Sequence, residues 1–299
     1  MAAAPSRPRL SRSRLGASRR LVPSAVLTYA LAILFLVVFV FPFVYMFGTA
    51  LKPNTEIYTF PPRILPQHAV WTDFPAAWED AHFSRYFLNS SVVAVVSAVT
   101  NVLFGSMAGY GFARLRFPGR DLLFLLVLVT LMIPNAVLIV PLFLMMKDVP
   151  LTDPGGWLNT YQGIILPTAV TGFSIFLMRQ FLAGLPRDLD EQAQIDGCNL
   201  FQTYWHVILP LSRPALAIIA VFTILTRWND YTWPLVAANS PDLYTVQIGL
   251  AGFVHTHVAA WNLLMAGAVI AAVPMLLVYA VAQPYFAQSL SALGTGIKE

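Results

Sequence analysis

Arg227 and Asp230 stand three residues apart in the otherwise apolar run that follows Arg213, a spacing that sets both on one helix face within pairing distance. At about 1.5 Å of rise per residue, they lie past the middle of a bilayer entered at Arg213. Charges at that depth face a bundle interior or a water-filled path, or they lock neighbouring helices as a buried ion pair. Both readings stay open at this point. Asn229 adds an amide between them and is a better path candidate than the rings around it. Trp233 is expected in an interfacial aromatic belt. His255 and His257 have the spacing of a metal pair, but without acidic or thiol company they make a poor site, and no metal is expected. The chain has no Gly-x-x-x-x-Gly-Lys-Ser/Thr loop, nucleophile elbow or His-Glu-x-x-His motif. No catalytic residue and no cofactor are therefore expected, and any use of nucleotide belongs to another chain.

The second polar concentration begins at Leu185-Pro-Arg-Asp-Leu-Asp-Glu-Gln-Ala-Gln-Ile-Asp-Gly-Cys-Asn199. Pro186 suits a helix start, and Asp188, Asp190 and Glu191 favour the positive end of its dipole. Gly197 permits a sharp change of direction, after which Phe201, Tyr204, Trp205 and Ile208 recur at helical spacing. Pro210 and Pro214 mark the start of the next apolar run. The expected product is a helix–turn–helix knob over about 185–212. From this pattern alone, the ordinary reading is an amphipathic connector on the headgroups.

The elements that must carry these residues are set by composition. Of 299 residues, 58% are hydrophobic and 11% charged, against about a quarter charged in soluble domains. Tyr86–Ala113, Leu122–Met146 and Pro154–Met178 contain no charge, and each exceeds the roughly 20 residues that span hydrocarbon. Hydropathy places six helices near Ser24–Met46, Tyr86–Ala113, Leu122–Met146, Gly163–Phe181, Arg213–Ala237 and Ala259–Ala282. The fold class is an all-α membrane protein, with a basic arm at 1–23 and a transmembrane domain over 24–299. Pro42, Pro134 and Pro141 interrupt helices one and three. An arm holding Arg7, Arg9, Arg12, Arg14, Arg19 and Arg20 puts the N-terminus in the cytoplasm. With the C-terminus there too, thirteen of the 18 basic residues face the cytoplasm, Lys298 among them. The positive net charge thus reports orientation and not nucleic acid. The apolar run after the arm, roughly Ser24–Met46, is too long for a signal peptide's apolar core and is read as the first anchor and first helix. Cys198, the one cysteine, rules out an internal disulfide and is read as a small packing residue. The first outer loop, about Gly48–Arg85, is rich in Pro and aromatic residues and is expected to form an ordered cap.

The run Glu191-Gln-Ala-Gln-Ile-Asp-Gly197, with Ile208-Leu-Pro210 downstream, resembles the EAA loop of ABC importer permeases. Gln192 and Cys198 depart mildly from its usual alanines. Gly109-Tyr-Gly-Phe-Ala-Arg-Leu-Arg-Phe-Pro-Gly119, Leu131-Met-Ile-Pro134 and Trp228-Asn-Asp-Tyr-Thr-Trp-Pro234 resemble the carbohydrate-uptake branch, in particular the maltose-system permease without extra N-terminal helices. The resemblance implies a multi-pass subunit of the bacterial inner membrane. Its partners would be a second homologous permease, two ATPase subunits and an extracellular sugar-binding protein. Glu191, Ala193, Asp196 and Gly197 would couple to the ATPase, while Arg227, Asn229 and Asp230 would lie along the sugar path. The loop Ser240–Val258, with Gly249 and Gly252, resembles the family segment that reaches into the binding protein. A stand-alone ion-coupled carrier is the alternative, but it would want several acidic residues inside its helices, and only Asp230 is there. An intramembrane enzyme would need a catalytic constellation at depth. Neither explains the knob.

Overall fold

The computed structural model describes residues 23–79, 82–150, 152, 155–255 and 260–295. The arm arginines, His257 and Lys298 lie outside the described residues. The chain divides into two units, Met1–Tyr45 and Met46–Glu299. Helix α1, Pro23–Ala50, begins in the first unit and runs without a break through Pro42. Along it Val26 to Phe43 keep their apolar side chains exposed, as a lipid-facing helix requires.

In the second unit the loop after α1 is ordered, as expected. Phe47, Trp71 and Phe74 pack ring on ring at 6.1–6.4 Å and lead into α2, Asp73–Glu79. Lys52 is buried there and donates to the carbonyl of Arg63. Burial holds its amine below the usual range, against the opposing pull of Glu56.

Helix α3, Phe83–Arg114, crosses the whole bundle. Its buried side carries polar groups among apolar ones: Asn89, Ser90, Ser97, Asn101 and Ser106 are all within 1% of full burial. In a membrane such groups must find partners inside the protein. The Asn89 amide donates to the carbonyls of Asp242 and Tyr244, and its oxygen accepts from the Tyr161 hydroxyl at 2.6 Å. Asn101 opens a π-helical turn, Asn101–Gly105, donates to the Thr168 carbonyl at 2.8 Å, and accepts from both the amide and the hydroxyl of Thr171.

The apolar run expected as one helix over Leu122–Met146 is two, α4, Arg120–Met132, and α5, Asn135–Lys147, bent by 107°. Pro134 is the cause. Its ring disfavours the helical conformation at Ile133, which is extended. Each half has 13 residues, about 20 Å at roughly 1.5 Å per residue, so neither crosses the hydrocarbon alone. Pro141, inside α5, breaks nothing.

The fourth expected span is also jointed. A short turn, Tyr161–Ile165, passes through Leu166–Thr168, and regular helix resumes as α6, Gly172–Ala183. The Thr171 hydroxyl caps α6 by accepting from the Ser174 amide. There follow α7, Asp188–Ile195, and α8, Leu200–Leu211, which turns through 78° into α9, Arg213–Trp228. The last described elements are α10, Thr232–Ala237, α11, Val246–His255, and α12, Trp261–Thr295. Among the described residues, four helices are long and apolar enough to cross a membrane, or up to six if each bent pair is one span.

The centre of the bundle is the contact of α3 with α6. Gly105 and Gly109, four apart, form the small-xxx-small pattern that lets membrane helices approach closely. A Cβ on Gly109 would lie 2.6 Å from the Cβ of Met178 and 3.0 Å from the Ile175 carbonyl, whereas one on Gly111 would meet nothing within 4 Å. Arg179 of α6 in turn sits over the Phe124 ring of α4 at 3.9 Å, a cation–π contact that joins the third helix to this pair. Gly109→Leu should therefore cost about 1–3 kcal/mol by overpacking and lower the unfolding temperature in detergent, while Gly111→Leu leaves it unchanged. Equal unfolding temperatures for the two variants would contradict this packing.

Candidate functional site

The knob is fixed from below and open above. Asp190 turns inward from the first turn of α7, its Oδ2 3.0 Å from Nε of Arg114 at the end of α3, with the side chains 12% and 7% exposed. The same guanidinium donates to the Leu185 carbonyl at 3.0 Å. Ala193 is buried beside it. α7 then ends in a Schellman arrangement: Gly197, at φ +84°, donates to the Gln194 carbonyl, and the Cys198 amide donates to that of Ala193. Asn199 and Gln202 cap the start of α8 reciprocally. Below, the Tyr204 hydroxyl meets Ser106 Oγ at 2.7 Å, and the Tyr204 ring packs on Tyr110 at 5.4 Å.

The four expected coupling residues thus divide. Ala193 helps anchor the knob, while Glu191, Asp196 and Gly197 lie on its exposed side. The apolar stripe expected along α8 divides too, because Tyr204 and Ile208 are buried whereas Phe201 is 60% and Trp205 44% exposed. These two rings stack on each other at 6.2 Å. Ile195, 84% exposed, is a further apolar side chain on the outside of the knob. Cys198 is half-buried and free, in keeping with a packing role.

At the other end of α9, the expected single helix to Ala237 stops at Trp228. Local polar competition ends it. The Asn229 amide donates back to the Leu225 carbonyl, and Asp230 Oδ1 accepts from the Trp233 amide at 3.3 Å, starting α10. Arg227 and Asp230 still pair, at 3.0 Å, with 15% and 20% of their side chains exposed. Both line a cavity of about 220 Å³ with Asn135 and Leu138 of α5, Thr168 and Trp233. Asn229 does not join them. It is exposed and faces Gln247, whose amide donates to it at 3.4 Å. Nor is Trp233 part of an interfacial belt, since it is buried with its indole donating to the carbonyls of Gly163 and Ile164. His255 ends α11, and the remainder of that loop to Ala259 is not among the described residues. Gly249 there lies against the Tyr86 ring, which a Cβ would meet at 2.4 Å, while Gly252 faces open space.

Sequence reasoning missed the members that hold this machinery together. Asn89 and Asn101 were visible as amides inside a charge-free span, a sign of helix-to-helix hydrogen bonding. Arg114 was counted for orientation alone, since only the fold brings its span's end to the acidic start of α7. The partnership of Ser106 with Tyr204 gave no signal.

Residues 101–292 match the family described as binding-protein-dependent transport system inner membrane component. The arabinooligosaccharides transport system permease protein AraQ of Halalkalibacterium halodurans is 35% identical over 258 residues, 85% of this chain and 90% of its own. The diacetylchitobiose uptake system permease protein NgcG of Streptomyces coelicolor is 33% identical over 287 residues, 95% and 92% of the two chains. Among solved structures, a chain of a bacterial ABC transporter involved in the import of the acidic polysaccharide alginate shares the fold. The TM-score is 0.76 at 24% identity, over 90% of this chain and 98% of that one. This chain therefore belongs to the family of binding-protein-dependent transport system inner membrane components, the permease subunits of ABC importers.

Proposed function

We propose that this chain is one of two permease subunits of an ATP-driven importer for an oligosaccharide or related polyol. The observation that carries the reading is the two-sided knob: an outer face of Glu191, Ile195, Gly197, Phe201 and Trp205 for a partner, and an inner face bolted to α3 by Asp190 and Tyr204. Apolar side chains left exposed beside a polar helix are the mark of a docking surface. The relatives named for arabinooligosaccharides and diacetylchitobiose support the substrate class. The partners on this reading are two ATPase subunits on the cytoplasmic side, a second permease and an extracellular sugar-binding protein. Both termini would be cytoplasmic. A lone ion-coupled carrier would have no use for such a face.

When the ATPases close, they push on α7. Because Arg114 holds Asp190 and the Leu185 carbonyl together, the push passes into α3 rather than bending the connector. α3 carries α6 with it through the glycine contact, and α8 moves α9 through the joint at Ser212. Arg227 and Asp230 line the path that this motion opens and closes. Sugar enters from the binding protein.

In vesicles holding the assembled transporter, Glu191→Arg or Gly197→Pro should leave ATP hydrolysis running and cut uptake at least about tenfold, a cost near 1.4 kcal/mol. Uptake at the wild-type rate by either normally assembled variant would overturn the coupling role. Asp190→Asn strands a buried guanidinium, which costs about 3–5 kcal/mol, and should lower the unfolding temperature. The double variant Arg114→Met/Asp190→Leu should recover that stability but not the uptake. If a path role is right, Asp230→Asn should slow uptake with assembly intact, and the exchange Arg227→Asp/Asp230→Arg should fail to restore it. Full restoration by the exchange would make the pair a structural lock instead.

A further inference from the structure

At the knob end of the bundle, the turn between α3 and α4 gathers charge that the transport reading does not use. Arg116, Arg120 and Arg187 line one open cavity of about 530 Å³ with Gly119 and the first turn of α4. Asp121, also in its wall, pairs with Arg120 at 2.9 Å and offsets that one charge. Among the described residues, Arg116 and Arg187 have no ion-pair partner. Gly119, at φ +79°, starts α4 without any side-chain cap, so the positive end of a 13-residue helix opens on the same space. Two free guanidinium groups and a helix start converging on one cavity are the donor set that holds a phosphate.

The surroundings identify which phosphate. The α4 chain leaves the cavity floor directly into a lipid-facing stripe, Leu122, Leu126 and Val129, spaced four and three apart, with Leu122 63% and Leu126 54% exposed. Arg116 and Arg120 flank the point where the chain turns between two apolar runs, which is the headgroup level of a bilayer. A free phosphate needs the arginines and nothing else, whereas a phospholipid needs a cationic recess continuous with an apolar wall. We infer that this cavity binds the headgroup of an anionic phospholipid, with Arg116 and Arg187 on the phosphodiester and an acyl chain along Leu122 and Leu126. Basic pockets at the ends of membrane helices bind such headgroups. A second cavity, beneath α7, shares Arg116 and Arg187 and reaches Asp190 and Glu191. The bound lipid is therefore a neighbour of the knob.

The test is native mass spectrometry of the assembled transporter released from nanodiscs made of equal parts phosphatidylcholine and phosphatidylglycerol. Wild type should retain phosphatidylglycerol in preference, and Arg116→Gln/Arg187→Gln should retain it about thirtyfold more weakly, from two lost charges at the membrane surface. Arg63→Gln, a charge lost from the outer loop, should behave as wild type. All variants keep the same N-terminal arginines, so non-specific attraction cancels. Leu126→Asn should weaken retention of the lipid. Equal retention by wild type and the double variant, or no preference for the anionic lipid, would overturn the proposal. So would displacement of the bound anion by inorganic phosphate with Leu126→Asn having no effect, because the ligand would then be the free ion.

Discussion

The approach of α3 to α6 is the constraint on which the rest of the molecule hangs. Lipid tails are as apolar as leucine, so two membrane helices gain little from burying greasy side chains against each other, and close backbone contact with internal hydrogen bonds must supply the difference. Gly105 and Gly109 allow the contact, since a side chain at either position would run into Ser174 or Met178. Asn101 then binds the two helices where α6 begins, by satisfying the interrupted backbone around Thr168 and Thr171. With that joint secured, α3 can hold the loop before α11 through Asn89 at one end and the knob through Arg114 at the other.

The knob shows how a segment lying outside the apolar helices can be stiff. Its two helices are short, and helices of that length are marginal in isolation. Three local devices replace length. The Schellman ending at Gly197 satisfies the last carbonyls of α7, the Asn199–Gln202 box satisfies the first amides of α8, and the Arg114 ion pair prevents α7 from lifting. Burying that pair is costly, and desolvation cancels the stability it would add over an apolar substitute. What it provides is position: a single guanidinium fixes both the start of α7 and the strand of chain before it.

The spans and the knob were legible because their signals are long. A charge-free stretch over twenty residues, or a cluster of acidic residues followed by Gly197, survives uncertainty about any one position. Breaks were not legible in the same way, because they are decided by single residues competing with the helix. Pro134 and Pro141 look alike in the sequence, yet only Pro134 divides its helix, with Ile133 extended before it, and nothing in the residue types distinguishes the two. Asp230 gave up its place on α9 because its carboxylate could cap α10 instead, and Asn229 was swung away from the cavity by the same turn. Trp233 was misassigned because an indole at a helix end carries no mark of whether its N–H meets water or a carbonyl. Of the three residues expected on the path, the sequence paired Arg227 with Asp230 correctly and could not see that Asn229 would part from them.

The bend at Pro134 has an electrostatic consequence for the cavity beside it. α5 starts there with no side-chain cap, and its first residues, Asn135 and Ala136, form part of the cavity wall. The partial positive charge of that helix start joins the guanidinium across the space, and one carboxylate opposes them. The guanidinium and the carboxylate offset each other and leave about the half charge of the helix start, so the recess offers donors and acceptors without a full net charge. Such an interior solvates hydroxyl groups better than it solvates a bare ion.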